Sequence, residues 1–284
     1  MKTNYVKYLP VVIGVLIGIS LFRAIGWWGF LVLFPWIGAS ISLGTALRQS
    51  LPKGKKDLGR RVSILLNLPA LLLFVPLVNK ENFQLEGVVL IVLAGYFSKG
   101  FIHFCVAKLF GPLIWGRGFC GWACWTAGIL DWLPMKQKAT VPSSLRNLRY
   151  LALALSLALP LYLVFALRYD VRGSYIGKAE LSWMISGSVI YYFLAIPLAY
   201  WLRDRRAFCK VLCPVSLVMK VPARFALIRM KPSGKRCTSC GVCNFVCMMD
   251  VDVWSDISKG KTLQSTECIQ CGACRSACPA GAIK

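Results

Sequence analysis

"CTSCGVCNFVC" runs from Cys237 to Cys247, and "CIQCGACRSACP" runs from Cys268 to Pro279. Each contains a C-x2-C-x2-C-x3-C run. Thiolates are soft ligands, and four of them suit zinc or an iron–sulfur cluster. Zinc sites use two C-x2-C pairs separated in sequence. A doubled run of the present spacing is instead the two-cluster bacterial ferredoxin arrangement, in which the fourth cysteine of each run ligates the other cluster. The spacing therefore assigns one [4Fe-4S] cluster to Cys237, Cys240, Cys243 and Cys278, and a second to Cys268, Cys271, Cys274 and Cys247. Pro279 follows the last cysteine as this pattern requires. Met248 replaces the corresponding proline of the first run without removing a ligand. Gly241 and Gly272 lie inside the loops, where backbone must approach the inorganic core closely.

Upstream of this module the chain is oily. Of its 284 residues, 57% are hydrophobic and only 16% charged, and the mean hydropathy is +0.61. Soluble domains are about 45–50% apolar and about 25% charged. A bilayer span needs about twenty apolar residues, and six stretches approach this: about 8–22, 27–47, 62–79, 87–106, 148–167 and 184–202. The first is short enough to tilt or to form a tight hairpin with the second across "RAIGWWG". No small-residue cleavage site follows it, so a removable signal is not expected.

Loop charges orient these spans. Arg48, Lys53, Lys55, Lys56, Arg60 and Arg61 separate the second from the third, and Lys108, Arg117, Lys136, Lys138, Arg146 and Arg149 the fourth from the fifth. Arg203, Arg205, Arg206 and Lys210 follow the sixth. The opposite loops hold Arg23, Lys80, Arg168, Arg172 and Lys178, partly balanced by Glu81, Glu86, Asp170 and Glu180. The positive-inside rule then puts both termini in the cytoplasm. It also accounts for the formal charge of +23 without invoking nucleic acid.

The expected fold is an all-α polytopic membrane domain (1–219) of about six transmembrane helices, both termini cytoplasmic. A basic linker (220–236) leads from it to a small C-terminal α+β bacterial-type 2[4Fe-4S] ferredoxin domain (237–284).

Two further cysteine pairs stand at the cytoplasmic ends of spans: "GRGFCGWACW", with Cys120 and Cys124, and "RRAFCKVLCP", with Cys209 and Cys213. On one helix, positions i and i+4 share a face, so two such pairs facing each other would present four thiolates. They would form a third cluster or another metal or thiol site. Buried cysteines also serve as small hydrophobes, which suffices for Cys105.

The order C-x3-C, span, C-x3-C-P, then a double ferredoxin run resembles the NapH-type membrane quinol dehydrogenases and the NosR- and CcoG-like polytopic 4Fe-4S ferredoxin-type proteins. The likeness covers roughly residues 85–284, the first two spans looking like an addition to the usual four. The eight ferredoxin cysteines match, as do Cys120, Cys124, Cys209, Cys213 and Pro214. Trp125 departs, standing where the first motif usually has proline. The resemblance implies a membrane-bound electron carrier between the quinone pool and a partner redox protein or other subunits of a redox complex. It would sit as a multi-pass protein in a bacterial cytoplasmic (inner) membrane.

The chain has one histidine, His103, so a haem b held by two of its histidines is excluded, and no flavin or dinucleotide fingerprint is present. Quinol oxidation needs a proton acceptor. Lys99 and His103, four apart in the fourth span, are the candidates, since ionisable groups inside spans are functional by default. Asp131, just after the first cysteine pair, is a weaker one. A rival reading needs no quinone: an assembly or activation factor delivering electrons to a metal or thiol centre of a client membrane enzyme. A channel with structural clusters would want more intramembrane polar residues than these.

Overall fold

The structure, a computed structural model, describes residues 5, 7–95, 98–135, 140–171, 173 and 179–284. Of the loop charges above, Lys136, Lys138, Arg172 and Lys178 lie outside the described residues.

Helix α1 (Leu9–Ile25) starts with Pro10 in its first turn and stops at Gly26, whose φ of 79° and N–H···O bond to Phe22 close the helix. A proline is tolerated at a helix start, and glycine accepts the left-handed stop. After the turn at 26–29 the chain returns as α2 (Phe30–Ser50). The hairpin is tight because Gly14, Gly18 and Gly38 carry no side chain. A methyl on any of them would run into the carbonyl of Phe34, Phe30 or Pro10 respectively. Small residues four apart let apolar helices approach backbone to backbone.

Four helices are long and apolar enough to cross a membrane: Phe30–Ser50, Lys53–Val78, Ser143–Phe165 and Glu180–Leu202. The last two present Leu155, Phe165, Val189, Phe193 and Trp201 outward, Phe193 being 76% exposed. An apolar exterior of this extent is unfavourable in water and is consistent with a membrane protein.

Two of the six expected spans differ. Helix α1 has 17 residues, about 25 Å at 1.5 Å per residue, short of a hydrocarbon core of about 30 Å. The stretch expected as one helix over 87–106 is broken into Leu85–Leu93, Lys99–Phe104, a π-helical turn at Cys105–Phe110 and Gly111–Trp115. Local chemistry explains the breaks. Gly95 takes φ +67°, and the Ser98 hydroxyl caps the next helix by accepting the Phe101 N–H. The buried Glu81 carboxylate accepts the Gly100 N–H.

The C-terminal module is also less β than expected. Its one β-bridge among the described residues pairs Pro232 with Ile283. Lys231 and Lys284 exchange backbone hydrogen bonds of 3.0 and 2.8 Å. The stretch read as a linker, 220–236, is thus structured: it completes helix Pro214–Ala223, bonds Leu227 and Ile228 to the carbonyls of Leu113 and Ile114, and then joins the cysteine-rich module. One buried cluster contains Cys120, Cys209 and Met219 together with Cys243, Cys274, Ile269 and Ile283, so the module packs directly on the C-x3-C segments.

Candidate iron–sulfur centres and the cavity beside them

The cysteine-rich module is an internal repeat at an offset of 31 residues (268 − 237). Gly241 and Gly272 have φ of 69° and 67°, Ser239 and Gln270 of 55° and 54°, Asp250 and Gly281 of 52° and 60°. These left-handed residues curl each run so that its backbone amides turn inward, and Gly241 and Gly272 each begin a short helix, Val242–Phe245 and Ala273–Ala277. The N–H groups of Val251 and Ala282 donate to Cys247 Sγ and Cys278 Sγ, both at 3.3 Å. Hydrogen bonds of this kind favour a thiolate.

The fourth cysteines cross over. Cys278 lines one hollow with Cys237, Cys240 and Cys243, over Trp254 and Ile257. Cys247 faces Cys268, Cys271 and Cys274, each of these thiolates disfavouring its neighbours. Burial pushes the Cys268 thiol up to about 12, with Cys271 and Cys247 adding to the shift. Among the described residues no three His, Cys, Asp or Glu side chains converge tightly enough for one metal ion. The choice of a cluster over zinc rests on the doubled C-x2-C-x2-C-x3-C spacing and on the crossed-over fourth cysteines.

The two C-x3-C segments form a second repeat, offset by 89 residues (209 − 120). They do not form the continuous helices that would put i and i+4 on one face. In each, the first cysteine is the third residue of a five-residue helix, Gly118–Trp122 or Ala207–Val211. The helix ends at Ala123 or Leu212, and the second cysteine caps the next helix. Cys124 (φ −68°, ψ 123°) and Cys213 (φ −69°, ψ 110°) share the extended conformation that a following proline imposes. Trp125 thus keeps the geometry that Pro214 enforces.

All four cysteines lie near enough to act on one another electrostatically. Burial pushes the Cys209 thiol up to about 12; Arg206 opposes this, and Cys124 and Cys120 add to it. Cys213 is raised by burial and then by Cys209, Cys120 and Cys124. Met219 Sδ lies 3.5 Å from Cys120 Sγ.

Several cations counted above as loop charges are buried around these sulfurs. Arg206 donates to the Cys120 carbonyl at 2.9 Å and to both oxygens of Asp131, at 2.9 and 2.6 Å. Arg60 reaches Asp131 at 2.6 Å and the Gly121 carbonyl at 3.3 Å. Asp131 is therefore a buried counter-ion and an organiser of the cysteine backbone. Arg117, which precedes Cys120 as Arg206 precedes Cys209, is fully buried, and among the described residues its Nε and Nη2 have no hydrogen-bond partner. Although burial opposes it, Cys120, Glu267, Cys213 and Cys209 together favour its charged form. Lys108 is turned inward by the π-helical turn, its Nζ 3.2 Å from the Phe119 ring centroid and 5.4 Å from that of Trp125. A set of buried cations suits a centre that carries the negative charge of four thiolates.

The second ferredoxin run sits on this floor. A methyl on Gly121 would collide with the Ile269 carbonyl, and Trp122 Nε1 donates to the Gln270 carbonyl at 3.0 Å. Arg48 bonds the carbonyls of Cys271 and Gly272. Glu267, next to Cys268, accepts from Arg117 and pairs with Arg149 and Lys220 at 2.8 Å each. Asp250 pairs with Arg146 and Lys210 at 2.7 Å each. Cys240 of the first run is exposed. The second run thus faces the C-x3-C cysteines and the first faces outward.

Although burial opposes it, Arg117 and the Lys220 hydrogen bond hold the Glu267 carboxyl at about 2. A depressed folded value means its contribution is complete above the unfolded value of about 4.3 and fades as pH falls towards 2. Docking of the module is therefore expected to be independent of pH between about 6 and 9, and Glu267→Gln to loosen it throughout. Limited proteolysis in the 224–236 stretch at several pH values checks both expectations.

Beside the cysteine floor lies an apolar cavity of about 180 Å3, lined by Ile17, Phe34 and Ile41 of the hairpin and by His103, Phe119 and Ala123. Phe119 and Ala123 are the residues before Cys120 and Cys124. His103 is 2% exposed, and neither ring nitrogen has a hydrogen-bond partner among the described residues. Lys99 does not line this cavity; its Nζ lies 5.5 Å from the Trp27 ring centroid. Sequence reasoning missed Arg117, Lys108 and Glu267 as parts of the site. Position relative to a cysteine was the available signal: arginine three before each first cysteine, glutamate one before Cys268.

Known families match both cysteine-bearing parts of the chain. The family described as "4Fe-4S dicluster domain" matches residues 236–283. A second, "4Fe-4S binding domain", matches twice, at 100–139 and 186–233, once over each C-x3-C segment. An uncharacterized protein of Methanocaldococcus jannaschii is 28% identical over 209 residues, covering 68% of this chain and 83% of that protein. A second uncharacterized protein of that organism is 24% identical over 176 residues, covering 59% of this chain and 63% of its own length. The methylamine utilization ferredoxin-type protein MauN of Methylobacillus flagellatus is 31% identical over 144 residues, covering 48% of this chain and 49% of its own. No solved structure matches. Together with the cysteine quartets, these matches define a 4Fe-4S ferredoxin-type electron-transfer protein.

Proposed function

We propose that the protein is a membrane-bound iron–sulfur subunit of the NapH-type quinol dehydrogenase kind, exchanging electrons between the quinone pool and a partner redox protein. The observation that carries this reading is the apolar cavity, which joins an unpartnered buried His103 to Phe119 and Ala123. A quinone ring is apolar on its faces and polar at its two oxygens, so it suits an oily slot with one hydrogen-bonding group. Oxidation of the quinol gives up two electrons and two protons. A free ring nitrogen of His103 would take one of these protons and water the other, the electrons would pass singly to the cysteine-held clusters, and Phe34 and Phe119 would flank the ring.

In this reading Cys237, Cys240, Cys243 and Cys278 hold one [4Fe-4S] cluster, Cys268, Cys271, Cys274 and Cys247 a second, and Cys120, Cys124, Cys209 and Cys213 a third. Bound clusters supply one-electron carriers. Arg117, Arg206 and Lys108 offset the charge of the third quartet, and exposed Cys240 marks the face open to a partner. The short α1 and the broken 85–115 stretch are read as two further crossings, giving six with both termini cytoplasmic in a bacterial inner membrane.

A second reading, an assembly or activation factor without a quinone site, is favoured by Met219 against Cys120, because a thioether beside thiols suits transfer of a soft metal.

One experiment separates them. Anaerobically purified, oxidised protein is mixed with a menaquinol analogue, and reduction is followed by EPR. Wild-type protein is expected to be reduced rapidly. His103→Ala is expected to be at least about 100-fold slower, the lower end of what a positioned proton acceptor contributes, with dithionite reduction unchanged. Equal rates in the two proteins, or no reduction by the quinol at all, would favour the second reading.

A further inference from the structure

Between the N-terminal hairpin and the cysteine-rich module lies a larger cleft, of about 650 Å3. Lys7, Lys53 and Lys56 line it from the hairpin side, and Lys235, Arg275 and Lys284 from the module. Among the described residues no aspartate or glutamate lines it. Among the described residues none of these six cations is in an ion pair. The nearby carboxylates are committed elsewhere: Asp57 to Arg60 and Arg61, Glu267 to Arg117, Arg149 and Lys220. The floor carries the indoles of Trp115 and Trp122, with centroids 6.2 Å apart. Like charges around one hollow repel one another, and low-dielectric walls focus the resulting field on an anion.

We propose that this cleft binds a phosphate-bearing ligand, with its phosphoryl oxygens held by Lys53, Lys56, Lys235 and Arg275 and its apolar part against the tryptophans. The volume is that of a small-molecule site, and a folded acidic protein does not enter a hollow of that size. Phosphoryl groups have two sources here. Lys53 and Lys56 stand where two long apolar helices meet, at headgroup level if those helices cross a bilayer. The opposite wall belongs to the soluble module. That wall includes Gly272 and Cys278, so the ligand's charge lies beside both cysteine runs. The proposal is independent of the quinone reading.

The test uses full-length, cluster-loaded protein in phosphatidylcholine nanodiscs, dialysed to equilibrium against radiolabelled pyrophosphate at low ionic strength. One saturable site is expected. The triple variant Lys53→Gln/Lys56→Gln/Lys235→Gln is expected to weaken it at least about tenfold, given the contribution of each cation to holding anionic headgroups. Iron content checks the variant's fold, and Lys53→Gln/Lys235→Gln replaces it if iron is lost. Absence of a saturable site, or unchanged affinity in the intact variant, overturns the proposal. Repeating the dialysis in phosphatidylglycerol nanodiscs identifies the source. Pyrophosphate excluded by the lipid supports a headgroup as occupant, and pyrophosphate retained supports a soluble phosphorylated molecule.

Discussion

Cys120→Ser and Cys209→Ser should each lower the iron content of the anaerobically purified protein by about one third, with the two ferredoxin-type clusters retained. The expectation follows from four neighbouring cysteines, Cys120 and Cys209 of them buried, contributed by two segments 89 residues apart (209 − 120). It also follows from the cations packed beneath them. Without a cluster, that neighbourhood would hold neutral thiols beside Arg117, which pairs with Glu267 but whose Nε and Nη2 lack partners among the described residues, and buried donors left unsatisfied are costly. Four thiolates sharing a cluster would add negative charge beside those donors. Iron analysis with EPR of the dithionite-reduced protein checks this: one signal should vanish in both variants while the ferredoxin pair persists. Unchanged iron would instead make the quartet a thiol site. Quinol-driven reduction is expected to fall in the same variants, because Phe119 and Ala123 tie the cavity to these cysteines.

Asp131→Asn is expected to be the most destabilising single substitution in the membrane domain, by about 3–5 kcal/mol, the range for removing one partner of a buried ion pair. Asp131 is 2% exposed and lies between Arg60 and Arg206, themselves 0% and 1% exposed. Loss of its charge leaves two guanidinium groups facing one another and slackens their hold on the carbonyls of Cys120 and Gly121. Thermal unfolding in detergent measures the effect. Lys259→Gln, on the exposed surface, serves as the control and should lie within about 0.5 kcal/mol of wild type. A loss in Asp131→Asn no larger than in the control would mean that this network does not hold the C-x3-C segments together.

Four of the six expected spans coincide with long apolar helices, because unbroken apolar length is itself a sequence property. The stretch after residue 84 reads equally oily but does not form one helix. Gly95, the Ser98 cap and the π-helical turn at Cys105–Phe110 interrupt it. That turn points Lys108 inward, where a regular helix would have left it among the loop charges. The C-x3-C pairs were legible as a matched repeat, whereas their shape was not. A cysteine before tryptophan gives no warning that it will cap a new helix as the cysteine before Pro214 does.

By itself the sequence determined the doubled ferredoxin run, the apolar character of what precedes it and the presence of two matched cysteine pairs. Each of these rests on spacing between near neighbours, and ligation of a compact cluster constrains spacing directly. Only the tertiary structure decided which groups surround the pairs. Arg206 reaches a carbonyl 86 residues away, and Arg117 a carboxylate 150 residues away. It also decided that His103 shares a cavity with Phe119 while Lys99 turns to Trp27. Such partnerships come from how helices pack once water and lipid are excluded, and no local pattern in the chain encodes them.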